Sequence, residues 1–249
     1  MLLAQQLGFA ESNPKLDVEG FDAVNKWTFL LTHAYGIVES SSNIVFNGIQ
    51  NIQSGDAGVA KEKYFEIKLV AQAKKLLNGK VAAFVLPQFV KQDDHLAFVK
   101  NEYNGVVIES GFADKQFFYG KGAGSLPTAS AVLSDLSALR YQYRYEYKKL
   151  YHHPPHELTN DFYVRAYLSF DDWKYVPHEK FEWIEEWHNE ADRKYLIVVL
   201  PFSELKNESW GKENNTSLIL APDGLIEEIE TRKLKKRSLE LAGSFITER

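Results

Sequence analysis

Glu11-Ser-Asn-Pro-Lys-Leu-Asp17-Val-Glu-Gly20-Phe-Asp22-Ala-Val-Asn-Lys26 gathers four carboxylates and two lysines within sixteen residues. A Pro/Asn turn carries one carboxylate, Gly20 breaks the run, and a helix then opens with Asp22 and Lys26. These two stand at i and i+4, so their side chains share one helix face. A carboxylate and an amine held together, with further acids on the preceding loop, suit proton transfer to an alcohol or a carbonyl. Spacing alone favours an exposed helix ion pair, common on ordinary helix surfaces, which contributes only about 0.3–0.5 kcal/mol.

Working outward, Ala23, Lys26, Trp27, Leu30, Leu31 and Ala34 recur at three and four, which predicts a helix over 22–36 with Gly36 as its stop. Strands are expected around Ile44–Phe46 and around Gly48–Ile52. The pattern Tyr64, Ile67, Lys68, Ala71, with Lys74 and Lys75 near its end, predicts a helix over Ala57–Leu77, ended by Gly79. Lys80–Leu86 reads as a strand closed by Pro87. Gly105–Glu109 and Lys115–Tyr119 read as a hairpin around Ser110-Gly-Phe-Ala-Asp. A glycine loop, Gly120-Lys-Gly122-Ala-Gly124, leads to a helix from Pro127 to about Leu139, with Pro well placed in the first turn.

Composition shifts at Leu139. Alternating tyrosines and Tyr151-His-His-Pro-Pro-His read as a linker over 140–160. Beyond it, a strand over Phe162–Phe170, a helix over Glu179–Asn189 and strands over Tyr195–Leu200 and Ser217–Ala221 are expected, followed by a charged tail.

The chain has 249 residues, 45% of them apolar, enough for one large domain or two smaller ones. It has no cysteine, which excludes disulfides and thiolate metal sites and fits a reducing compartment. A net charge of −5 argues against a nucleic-acid partner. No apolar run has the length to span a bilayer, and the first residues lack the pattern of a signal peptide, so the expected location is cytoplasmic with no membrane contact. His152, His153 and His156 are too loosely spaced across Pro-Pro to make a metal site, and none is expected. Trp173, Trp183, Trp187 and Trp210 read as core or interface anchors.

Two blocks carry a resemblance. Ala4-Gln-Gln-Leu-Gly-Phe-Ala-Glu11, then Asn-Pro, then Leu16-Asp17-Val-Glu-Gly20-Phe-Asp22-Ala-Val-Asn-Lys26, resembles the substrate-binding signature of homoserine dehydrogenases. Phe118-Tyr-Gly-Lys-Gly-Ala-Gly124-Ser-Leu-Pro-Thr-Ala-Ser-Ala-Val132-Leu-Ser-Asp135 is similar to the run that closes that family's catalytic region. Gly48-Ile-Gln-Asn-Ile, Ile67-Lys-Leu-Val-Ala and Asn104-Gly-Val fall between them in the family's order.

The resemblance implies an NAD(P)-dependent oxidoreductase that interconverts L-homoserine and L-aspartate 4-semialdehyde, in amino-acid biosynthesis. It implies Lys26 and Asp22 as catalytic, with Glu11, Asp17 and Asp22 holding the amino-acid substrate. Gly122, Ala123, Gly124 and Thr128 would contact the cofactor, Thr128 also being placed to cap its helix. It implies a homodimer through the β-rich stretch 80–119.

The expected fold class is α/β (α+β): a mixed or antiparallel sheet with helices on one face, then a small ferredoxin-like, degenerate ACT-type unit. The expected domains are a catalytic, substrate-binding and dimerisation domain over 1–139, a linker over 140–160 and the ACT-like unit over 161–249. No G-x-G-x-x-G turn of a Rossmann domain is present, nor is the family's first-domain lysine. The catalytic domain is therefore expected to be N-terminally incomplete, with most of the NAD(P) site on a separate or upstream nucleotide-binding domain. The alternative is a non-catalytic amino-acid-binding or regulatory dimer.

Overall fold

In a computed structural model of the chain, the structure describes residues 15–144, 146, 148–152, 155–190, 193–206 and 216–227. Two helices open it, α1 (Lys15–Val18) and α2 (Phe21–Tyr35), followed by a two-residue strand β1 (Val45–Phe46) and helix α3 (Ser54–Glu62). Strands β2 (Phe65–Lys75) and β3 (Val81–Lys91) form a long antiparallel pair. Strands β4 (Tyr103–Ser110) and β5 (Asp114–Lys121) form a separate two-stranded hairpin, and α4 (Ser125–Arg140) and α5 (Lys148–His152) follow. Among the described residues four further strands follow: β6 (Tyr163–Ser169), β7 (Trp183–Glu190), β8 (Arg193–Pro201) and β9 (Ser217–Ile226).

Seven strands make one mixed sheet, in the order β1-β3-β9-β6-β8-β7, with β2 also on β3. β2 pairs with every residue of β3 from Val81 to Lys91. The opposite edge of β3 is shared end to end: β1 runs parallel beside Phe84 and Val85, and β9 runs parallel beside Gln88. Val81 exchanges hydrogen bonds with Glu157 and Thr159 on that edge, and Val85 accepts from the Asn47 N–H at 2.9 Å. Backbone polar groups point the same way at every second residue of a strand. The nitrogen of Pro87 therefore faces this shared edge and not β2, which is why the strand runs through a proline that was expected to close it.

The alternation of β3 divides the core. Val81, Ala83 and Val85 pack under α2 with Val24, Leu31, Ile37 and Ile44. Phe89 joins Val59 and Ala60 of α3 with Tyr167, Ile197 and Ile219. The other face holds Ala82, Phe84 and Leu86 against Phe162, Leu168, Leu196, Val198, Leu200, Phe202 and Leu220. Phe162 and Phe202 stack there at 4.3 Å. Each fully buried large side chain contributes roughly 1.5–3 kcal/mol. The expectation of a mixed sheet with helices on one face holds; short 3₁₀ turns such as Phe202–Leu205 serve the other.

Three elements differ from expectation. The helix expected over Ala57–Leu77 is α3 followed by β2, broken where Tyr64 takes φ 60°; Gly79, φ +83°, turns the β2–β3 hairpin. The stretch Gly48–Ile52 is a turn and not a strand. The helix expected over Glu179–Asn189 is a 3₁₀ turn, His178–Lys180, and then strand β7. With it goes the strand–helix–strand order behind the ferredoxin-like, ACT-type unit, which is not confirmed. The four strands after residue 161 instead continue the sheet that β3 begins. Trp173 and Trp187 are partly buried anchors on that core, as expected; Trp210 and the charged tail lie outside the described residues.

Candidate active site

The site is built on the start of α2. Gly20 takes φ +85° and serves as N-cap without a side-chain bond, and the Val24 N–H donates to its carbonyl at 3.0 Å. This left-handed residue turns α1 sharply into α2, a conformation glycine adopts without steric cost. Asp22 falls in the first turn, where a carboxylate suits the helix dipole. Its Oδ2 lies 2.7 Å from Lys26 Nζ, with the Asp22 and Lys26 side chains 45% and 64% exposed. The pair the spacing predicted is thus formed, and it is exposed to solvent. Gly36, φ +70°, closes the helix as expected.

Asp17 lies in α1, exposed, with Val18–Gly20 between it and α2. Glu11 lies outside the described residues. Behind the α1–α2 junction, the Ile49 N–H donates to the Val18 carbonyl at 2.8 Å, so the turn after β1 supports it. Sequence reading missed this support, since Gly48 and Gly20 are distant along the chain and only close approach of their backbones reveals it. On the inner side of α2, Trp27 packs toward β2 and β3, and its buried Nε1 has no hydrogen-bond partner among the described residues.

The glycine loop lies on the hairpin side. The Gly122 N–H donates to the Glu102 carbonyl at 2.8 Å, and a Cβ at Gly122 would meet Asn104 Nδ2 at 2.1 Å. Gly124 takes φ +116° and is the N-cap of α4, with no side-chain cap, and the Thr128 N–H donates to its carbonyl at 3.1 Å. Thr128 is therefore inside the helix and does not cap it, contrary to the expectation; its side chain lines an open groove of about 680 Å³ with Gly124, Ser125, Ala129, Val132 and Leu133. Beside the loop, Lys121 pairs with Glu102 at 3.0 Å and lies over the Tyr103 ring. That hydrogen bond raises the Lys121 pKa, and a backbone hydrogen bond followed by Lys121 lowers that of Glu102.

Backbone N–H groups at a helix N-terminus are a kind of site suited to phosphate-bearing ligands. α4 packs substantially against no other described element, and Leu126, Val132, Leu133, Leu136 and Leu139 are exposed on it. Among the described residues no group of three metal-binding side chains comes together; His153 lies outside them. No helix among them is long and apolar enough to cross a membrane.

Comparisons with known proteins agree on one family. The homoserine dehydrogenase family model matches residues 1–137. The chain is 38% identical over 133 residues to the homoserine dehydrogenase of Lactococcus lactis subsp. lactis, covering 53% of this chain and 31% of that one. It is also 38% identical over 137 residues to that of Corynebacterium glutamicum, with the same two shares. The chain thus spans about a third of the length of the curated relatives it matches. A solved homoserine dehydrogenase from Thiobacillus denitrificans superposes with a TM-score of 0.66 over 89% of this chain and 57% of the other, and at 23% identity shows the shared fold alone. The S. aureus homoserine dehydrogenase superposes with a TM-score of 0.59 at 27% identity, over 88% and 56%. With its site elements, Asp22 to Thr128, all inside the matched residues, the chain belongs to the homoserine dehydrogenase family.

Proposed function

We propose that this chain carries the substrate-binding part of an NAD(P)-linked homoserine dehydrogenase, acting between L-homoserine and L-aspartate 4-semialdehyde. The observation that carries this reading is the 2.7 Å contact of Asp22 and Lys26 at the exposed start of α2, inside the family-matched residues. Lys26 takes the proton of the substrate hydroxyl as the alcohol becomes an aldehyde, and returns it in reverse. Asp22 orients the Lys26 amine and the substrate. Glu11 and Asp17 accept hydrogen bonds from the substrate ammonium. Gly122, Ala123, Gly124 and Thr128 would meet the dinucleotide from this side, and when bound it supplies the hydride acceptor or donor. Most of its binding surface belongs to a separate or upstream nucleotide-binding domain.

We also propose a homodimer through the hairpin. Val106, Ile108 and Phe118 share one face of β4–β5 and are exposed, and a two-stranded sheet with a bare apolar face needs a cover.

Calorimetry tests the reading. L-homoserine should bind the chain and lose affinity on Asp22→Asn, while NADH and NADPH alone give no heat at micromolar concentrations. No homoserine binding would overturn the substrate assignment. Homoserine binding without turnover when the nucleotide-binding domain is supplied would favour a non-catalytic amino-acid-binding dimer.

A further inference from the structure

We infer that Gly48 is a positioning residue for the carboxylates that hold the substrate, an inference that rests on the reading of Asp17 and Asp22 given above. The turn Asn47-Gly48-Ile49 leaves β1 and passes directly behind Val18–Gly20. A Cβ at Gly48 would lie 2.0 Å from the Val18 carbonyl oxygen and 2.5 Å from both the Glu19 carbonyl carbon and Gln50 Oε1. Two of these three obstacles are backbone, which cannot swing aside. From the other direction, a Cβ at Gly20 would meet the Asn47 carbonyl at 3.4 Å and Gly48 Cα at 3.5 Å. The two chain segments therefore touch backbone to backbone, and the Ile49 N–H seals the contact on the Val18 carbonyl at 2.8 Å.

The turn itself is held rigidly. Asn47 Oδ1 accepts from the Gly48 N–H at 3.0 Å and from Gln50 Nε2 at 3.1 Å, and the Asn47 N–H donates to Val85 of β3 at 2.9 Å. A continuous backbone path thus runs from β3 through Asn47 and Gly48 to the elbow. Asp17 immediately precedes that elbow and Asp22 lies just past it. The elbow sets how far apart the two carboxylates stand, and a shift of about 1 Å in such geometry can cost on the order of 10²-fold in a reaction.

The test compares Gly48→Ala, the double variant Gly48→Ala with Gln50→Ala, and a control, Gly55→Ala, whose added Cβ has no described atom within 4 Å. Two readouts are taken on the full chain: amide hydrogen exchange and L-homoserine affinity. In Gly48→Ala, exchange should quicken at least tenfold at Gly20, Val24 and Ile49, with β3 and β6 unchanged, and homoserine affinity should fall at least tenfold. The double variant should behave alike, since the Val18–Glu19 backbone remains in the way. Unchanged exchange at the elbow overturns the inference, as does restored affinity in the double variant. Quickened exchange with unchanged affinity also overturns it, leaving Gly48 a purely structural residue. If the parent chain binds no homoserine, the substrate reading fails with it, and the exchange data alone report whether the elbow contact exists.

Discussion

The Tyr167 hydroxyl donates to Asp56 Oδ1 at 2.9 Å, across 111 positions of sequence and wholly inside the protein. Tyr167 is 0% and Asp56 1% exposed. The other oxygen of Asp56 accepts from the Gln53 N–H at 2.9 Å, capping α3. One carboxylate thus joins a helix in the family-matched region to a strand beyond it. Tyr167→Phe should lower stability by about 1–3 kcal/mol, the cost of leaving a buried acceptor unpaired. Urea midpoints measure it. Burial, then the Asp56 charge, raises the Tyr167 pKa above its ordinary value. The stabilising contribution is therefore full below about pH 10 and is lost as pH rises through the higher folded value. The Phe variant should lose less stability than the parent above pH 10.

Removal of the last strands should unfold the chain. Phe84 and Leu86 share one cluster with Phe162, Phe202 and Leu220. A chain ending at Arg140 loses those partners and the β9 neighbour of β3. Circular dichroism should then show no cooperative thermal transition; a sharp one would disprove the dependence.

Lys26→Met keeps the length of the side chain and removes its charge. In a complete enzyme with a nucleotide-binding domain, kcat should fall by at least ~10²-fold, as on loss of a general acid–base group. Lys15, 64% exposed and paired with Glu19 at 3.8 Å, is the control. Equal activity of Lys26→Met and parent would reduce the Asp22–Lys26 contact to a surface ion pair.

Val106→Lys with Phe118→Lys should separate a homodimer. These side chains are opposite each other in the β4–β5 register, on the exposed apolar face. Light scattering should give twice 28.5 kDa for the parent and 28.5 kDa for the variant. A parent that stays monomeric at all concentrations excludes this interface.

Trp27→Phe should be close to neutral or slightly stabilising. The indole Nε1 is buried with no partner among the described residues, and an unmet donor costs about 1–3 kcal/mol, which offsets the packing a smaller ring loses. A loss of more than about 3 kcal/mol in denaturant unfolding would show that the nitrogen has a partner after all.

Much of the first half was legible. The three-and-four spacing of α2, its Gly36 stop, the hairpin and α4 all follow from local pattern, because local contacts decide them. The misreadings have identifiable causes. In β2, Phe65, Ile67, Leu69, Ala71 and Ala73 stand at every second position, but Val70 interrupts the alternation and Ile67, Ala71 and Lys74 also fit helical spacing, so the pattern of α3 runs on into them. In β7 the register shifts between Ile184 and Glu186. That bulge puts Ile184 and Trp187, three apart, on the same core face, a spacing that imitates a helix. For the site, the Asp22–Lys26 pair was legible because one helix holds both. The support from Gly48 was not, since it arises only when β3 sets the turn after β1 against the elbow.

The shared edge of β3 has a consequence for how the protein is made. Its β9 partner residue Leu220 leaves the ribosome 132 residues after Gln88, a wait of roughly 7–26 s at ordinary synthesis rates. Through that interval the nascent hairpin of β2 and β3 has its second edge only partly covered by β1. An open edge invites pairing with another nascent chain. Pro87, which offers no N–H on that side, makes the waiting strand a poorer template for cross-chain β pairing until β9 arrives.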